Sequence, residues 1–168
     1  MAEDLIKSLN LQPHPYGGFF KEVHRSTQAV KPLDDREARS ASTCIYLVMK
    51  NEDIDPWHKI KSEETFFYHK GTFLKLYTID EEGKLTTRIV GDTTVDPEAE
   101  FACVIPAGVW FAGELVDKED TYGFFSVAVS PGFHYADSEV AHVEKLCEQF
   151  ADHKELIERL HKDPPKAE

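Results

Sequence analysis

The chain has 168 residues, 41% of them hydrophobic and 11% aromatic, enough apolar material for one well-filled core and too much for a disordered chain. Lys and Arg number 19 against 31 Asp and Glu, a formal charge of −12 that repels phosphate backbones and anionic lipid surfaces. No basic patch offsets this charge, which argues against nucleic acid and membranes as partners.

An opening helix is predicted over residues 2–10, where Leu5, Ile6 and Leu9 share one face. The prolines and paired glycines of Gln12-Pro13-His14-Pro15-Tyr16-Gly17-Gly18 end it in a sharp bend. Residues 19–26 read as extended, and the charged stretch 28–40 with Pro32 as a surface loop. From residue 42 the rhythm is that of a sheet. Residues 43–49 are β-branched and aromatic and are expected to be buried on both faces. Residues 64–69 and 73–79 follow, and Glu81-Glu82-Gly83-Lys84 turns the chain into 85–90. After an acidic loop at 91–100 come 101–105, 109–116 and 122–130. About eight short strands with tight turns predict a mainly β fold, a closed antiparallel barrel or jelly roll.

Beyond Pro131-Gly132-Phe133 the period becomes helical. Val140, Val143, Leu146, Cys147 and Phe150 form one stripe with Asp137 or Ser138 placed to cap it, and Asp152 to Glu155 opens a second helix. The expectation is a single domain over 1–168, with a barrel at about 16–135, C-terminal helices at about 137–162 and a frayed tail at 163–168. The acidic start lacks the basic residues and apolar run of a secretion leader, and no stretch approaches the ~20 apolar residues of a membrane span. Cys44, Cys103 and Cys147 form neither a disulfide framework nor a zinc knuckle. A cytoplasmic protein is expected.

Chemistry concentrates in Trp57-His58-Lys59-Ile60-Lys61-Ser62-Glu63-Glu64, which runs on to Gly71, and in Pro106-Ala107-Gly108-Val109-Trp110-Phe111. Together these resemble the two motifs of the cupin superfamily. His58, Glu64 and Gly71 match the first motif, but Ile60 stands where its second histidine belongs, and Phe111 where the histidine of the second motif belongs. Gly17-Gly18-Phe19 with Arg25-Ser26, the Trp57-His58 step and Pro131-Gly132-Phe133 extend the likeness to one cupin subfamily, a domain of unknown function and the fifth of the superfamily. The resemblance spans about residues 10–160. It implies a jelly-roll barrel (a double-stranded β-helix), related in fold to deoxysugar epimerases and usually dimeric, to which the periodicity above adds a short N-terminal helix and two C-terminal helices.

If the strands alternate regularly, His58, Ile60, Glu64, Phe66 and Tyr68 share one parity and line the barrel. An inward imidazole and carboxylate beside Phe and Tyr walls suit a polar-anchored apolar pocket, and also suit a simple hydrogen bond to each other. The first reading is a metal-independent cupin that binds a small polar, anionic or sugar-like molecule and needs no cofactor. As an enzyme it would be an isomerase or epimerase, with His58 as base, Glu64 polarising it and Tyr68 as proton donor. Arg25 is the candidate anion ligand, because guanidinium grips carboxylate or phosphate at two points, and Phe66, Trp110 and Phe111 are candidate walls. Two further readings stay open. One is a metal-dependent dioxygenase or isomerase holding its ion through His58 and Glu64, and the other is a sensor or binding module without catalysis. The segment 19–25 and the late strands offer more apolar edge than a monomer covers, so a homodimer is expected.

Overall fold

The structure, a computed structural model, describes residues 1–162; the expected frayed tail at 163–168 lies outside the described residues. Twelve strands pair into two six-stranded sheets that face each other as a jelly-roll barrel. In the first sheet Gln12–Pro13, Phe19–Arg25, Thr43–Lys50, Tyr122–Ser130, Glu63–Gly71 and Ala102–Ile105 lie in that order. In the second, Ala99–Glu100, Leu85–Val90, Leu74–Ile79, Trp110–Leu115, Ile54–Ile60 and Ser138–Val140 lie side by side. All of these pairings are antiparallel except that of Ala99–Glu100 with Leu85–Val90. The stretch 28–40 is more than a surface loop: Ala29–Val30 and Arg39–Ser40 pair as a small ribbon, and Arg36 is buried.

Strand alternation divides the apolar residues between two cores. Along Leu74–Ile79, Leu74 and Leu76 point into the barrel while Tyr77 and Ile79 point outward. Inside, Leu74, Leu76, Cys103, Ile105, Leu115 and Phe125 fill part of the barrel. Outside the second sheet, Trp57, Tyr77 and Ile79 pack against Leu146, Phe150, Ile157 and Leu160 of the C-terminal segment. On the outer face of the first sheet the N-terminal helix Ala2–Leu9 covers only one end, where Val48 is fully buried and Lys50 pairs with Glu3. Thr43–Lys50 is therefore not buried on both faces along its length: Cys44 and Tyr46 on its outer side are half-buried.

The C-terminal helices run over Val143–Gln149 and Lys154–Arg159, and the first does not start at 137. Residues 135–137 form a 3-10 turn, and Ser138–Val140 joins the sheet as an edge strand on Ile54–Ile60. Asp137 caps no helix because two arginines claim its carboxylate. Arg39 donates from Nη2 and Nε at 2.8 and 2.9 Å, and Arg36 from Nη1 at 3.4 Å. Asp152 makes no cap bond at the second helix either.

Two glycines are required by geometry. Gly71 has φ +93°, and a Cβ there would lie 2.1 Å from the Tyr122 carbonyl oxygen. Gly18, at φ +75°, lets the bend after the first helix pass within 2.6 Å of the Val48 carbonyl, measured to the position of a Cβ.

Candidate functional site

The barrel is not filled from end to end. Toward the mouth formed by the Gly17-Gly18 bend and residues 133–140, its interior opens into a cavity of about 470 Å³. Phe20, Ile45, Leu47, Met49, Phe66 and Val127 form apolar walls, and Glu64, His58 and Asp55 bring in charge.

The strand Ile54–Ile60 places two of these groups by an irregularity. Phe111 pairs with His58, but two residues further along Gly113 pairs with Asp55, three residues back, so the strand carries one extra residue at Pro56–Trp57. In a regular strand Asp55 and His58 would face opposite ways. The bulge turns both toward the cavity and leaves Trp57 buried in the outer core. Pro56 fits there because a bulge does not need its missing N–H. Its carbonyl accepts a hydrogen bond from His58 Nδ1 at 2.6 Å, and Asp55 Oδ1 lies 3.5 Å from the same nitrogen. Nδ1 thus carries the hydrogen in the neutral ring, and Nε2 is the nitrogen left to exchange a proton. Phe111 stacks behind the ring with centroids 4.1 Å apart.

Glu64 is 6% exposed, and its carboxyl opens on the cavity with no hydrogen bond or ion pair from another described residue. Burial pushes its pKa up to about 7, with nearby Asp55 adding to the rise and His58 opposing it. For His58 burial acts downward, but Asp55, Glu64 and the Pro56 carbonyl outweigh it and raise the pKa. His14, which overhangs the cavity, is held below its ordinary value by burial.

Of the residues singled out from the sequence, His58, Glu64, Phe66 and Arg25 line the cavity and three others do not. Tyr68 donates its hydroxyl to the Gly71 carbonyl at 2.8 Å and packs on Phe73 and Phe125, away from the lining. Phe111 is fully buried core behind His58 and Phe66. Trp110 faces the outer core, under the Lys59 ammonium 4.5 Å from its ring centroid. Arg25 reaches the rim, but Glu22 takes the edge that would grip an anion, with hydrogen bonds of 2.9 and 2.8 Å from Nε and Nη2. Its Nη1 donates to the Phe133 carbonyl. Sequence parity missed Asp55, and the signal that locates it is Pro56 inside a strand. It also missed His14, which arrives on the bend.

A metal does not fit this donor set. Ile60 and Phe111 put hydrocarbon at two motif positions, and among the described residues no group of three or more His, Cys, Asp or Glu side chains is arranged to hold an ion.

A family model described as Cupin superfamily (DUF985), Cupin_5, matches residues 3–141. No curated protein matches the sequence. Among solved structures, a hypothetical protein from Leishmania major is 31% identical, with 97% of this chain and 99% of that chain covered and a TM-score of 0.86. A protein from Shewanella oneidensis is 28% identical over 96% of this chain and 97% of that one, at a TM-score of 0.85. Oxalate decarboxylase from Bacillus subtilis shares the fold at 18% identity and a TM-score of 0.56, with 90% of this chain and 37% of that chain covered.

Proposed function

The chain belongs to the Cupin_5 (DUF985) family of the cupin superfamily, and from that premise we propose that it binds a small polar molecule in the barrel cavity and moves a proton on it through His58. The observation that supports this reading is Glu64, a carboxyl buried beside His58, open to the cavity and with no hydrogen bond or ion pair from another described residue. An isolated buried acid costs stability, and such a cost is characteristic of groups kept for chemistry. His58 Nε2 takes a proton from a carbon next to a carbonyl. Glu64 and Asp55 stabilise the imidazolium that results, and return of the proton to the other face of the same carbon restores the carbonyl and completes an epimerisation. No step passes through a metal.

Native mass spectrometry of gently purified protein, before and after denaturation, tests the binding half. The expected result is an organic adduct within the folded chain; one divalent ion per chain would overturn the metal-free reading. Transfer of solvent deuterium into the released molecule, lost in His58→Ala, tests the proton half. Retention of that exchange in the variant would take the role of base away from His58, and no exchange in the parent would leave a binding module without catalysis.

The expected homodimer belongs to the same reading. Cys44, Tyr46, Phe124, Phe67 and Val104 lie along the part of the first sheet's outer face that the N-terminal helix leaves open, where Phe67 is 37% and Val104 42% exposed. The C-terminal helices give the second sheet its cover; a second copy would give the first sheet the same.

A further inference from the structure

The charges that reach the cavity are unbalanced. Among the described residues, Glu22, Asp55 and Glu64 line it against Arg25 as the single permanent base, with His14 and His58 completing the titratable lining apart from two tyrosines; the Lys162 ammonium stands outside the lining, at the rim beside Gly17. Arg25 is already matched by Glu22 at the rim. Deeper in, Asp55 and Glu64 share one histidine, whose Nδ1–H is spent on a backbone carbonyl. Even with His58 protonated, this inner group is one positive charge short. An anion entering it would meet two carboxylates, and burial would sharpen the repulsion. Away from these groups the walls are mainly hydrocarbon, broken by the hydroxyl residues Thr43, Ser138 and the two tyrosines, which suits an apolar body better than a sugar ring that carries a hydroxyl on most of its carbons.

Resting on the reading of the cavity as a ligand site, we infer that its occupant is a cationic amine with an apolar body, the ammonium seated against Glu64 and Asp55 and the body against Phe20, Leu47 and Phe66. Glu64 carries the inference, because it is more than nine-tenths buried, opens on the cavity and has no hydrogen bond or ion pair from another described residue. An ammonium supplies the missing charge and up to three N–H donors, and a buried charge pair of this kind is stronger than a neutral hydrogen bond.

Benzylamine, benzyl alcohol and benzoate share one body and differ in head charge, so they test the inference on the full chain by calorimetry. At about pH 8, where Glu64 is mainly ionised, benzylamine is expected to bind at least about tenfold more tightly than either of the others. Glu64→Gln should abolish that preference and Asp55→Asn should weaken it, while Glu98→Gln, at an exposed site far along the acidic loop, should leave it unchanged. Equal or tighter binding of benzoate or benzyl alcohol overturns the amine and leaves the cavity reading standing. Equal loss in Glu98→Gln shows attraction to the acidic surface at large and also overturns it. Failure of all three probes to bind at about 10 mM overturns both the inference and the cavity reading beneath it.

Discussion

Glu64 ionises less readily than a surface glutamate because its charged form loses water and gains no donor in return. Its unfolded pKa is near 4.5 and its folded value about 7, so between those pH values the folded chain holds a proton that the unfolded chain has released. Stability from this group is therefore full below pH 4.5 and falls as pH rises through 7. The raised pKa of His58 acts in the same sense, its contribution fading as pH climbs through the folded value. Glu64→Gln removes the carboxyl's share while keeping its shape. At about pH 8 the variant should be more stable than the parent by about 1–3 kcal/mol, with the two converging near pH 4.5. Urea denaturation at the two pH values measures this; a parent as stable as the variant at pH 8 would mean that Glu64 has a partner after all. His58 and Glu64 were legible in the sequence because their spacing carries a motif. Asp55 was not, since period-2 parity assigns it to the opposite face until the bulge at Pro56 is counted.

Among the elements, the short strand Ser138–Val140 shows where sequence pattern and tertiary structure part. Val140 sits in phase with Val143, Leu146 and Phe150, so a helix starting at 137 is the natural reading. Arg36 and Arg39 overrule it by fixing Asp137 at the end of a 3-10 turn, from which the chain enters the sheet. That strand supplies Ser138 and Val140 to the cavity wall, so the buried ion pair shapes the site from a distance. Asp137→Ala leaves the buried Arg36 guanidinium short of a carboxylate and should cost about 3 kcal/mol in urea denaturation. A loss below about 1 kcal/mol would show that Asp34, which also pairs with Arg36, holds the loop without it. Most barrel strands were readable because β-branched and aromatic runs between turn residues leave few alternatives, but Ile54–Ile60, with Asp55-Pro56 inside it and lysines near its end, has no such run and was not marked out in the chain order. The edge strands were not, since two or three residues carry no period of their own.

Across the whole molecule the two sheets differ in what covers them. The C-terminal helices shield the second, whereas the N-terminal helix reaches one end of the first and leaves the aromatic pair Tyr46 and Phe124, ring centroids 5.4 Å apart, on its open part. Light scattering should give about twice the mass of one chain, and Tyr46→Glu, which places a charge in the middle of that face, should return it to the mass of one. A parent that scatters as a single chain would sink the dimer. The three cysteines occupy three different depths in this arrangement. Cys103 is fully enclosed in the barrel, its thiol pushed up to about 11 chiefly by burial, whereas Cys44 sits half-buried on the open face and Cys147 half-buried on the first C-terminal helix. Alkylation followed by mass spectrometry turns them into three clocks. Cys147 should react first at any protein concentration, Cys44 should slow as concentration drives two copies together, and Cys103 should wait for the barrel to open. One labelling series would then time assembly and unfolding separately, without a mutation.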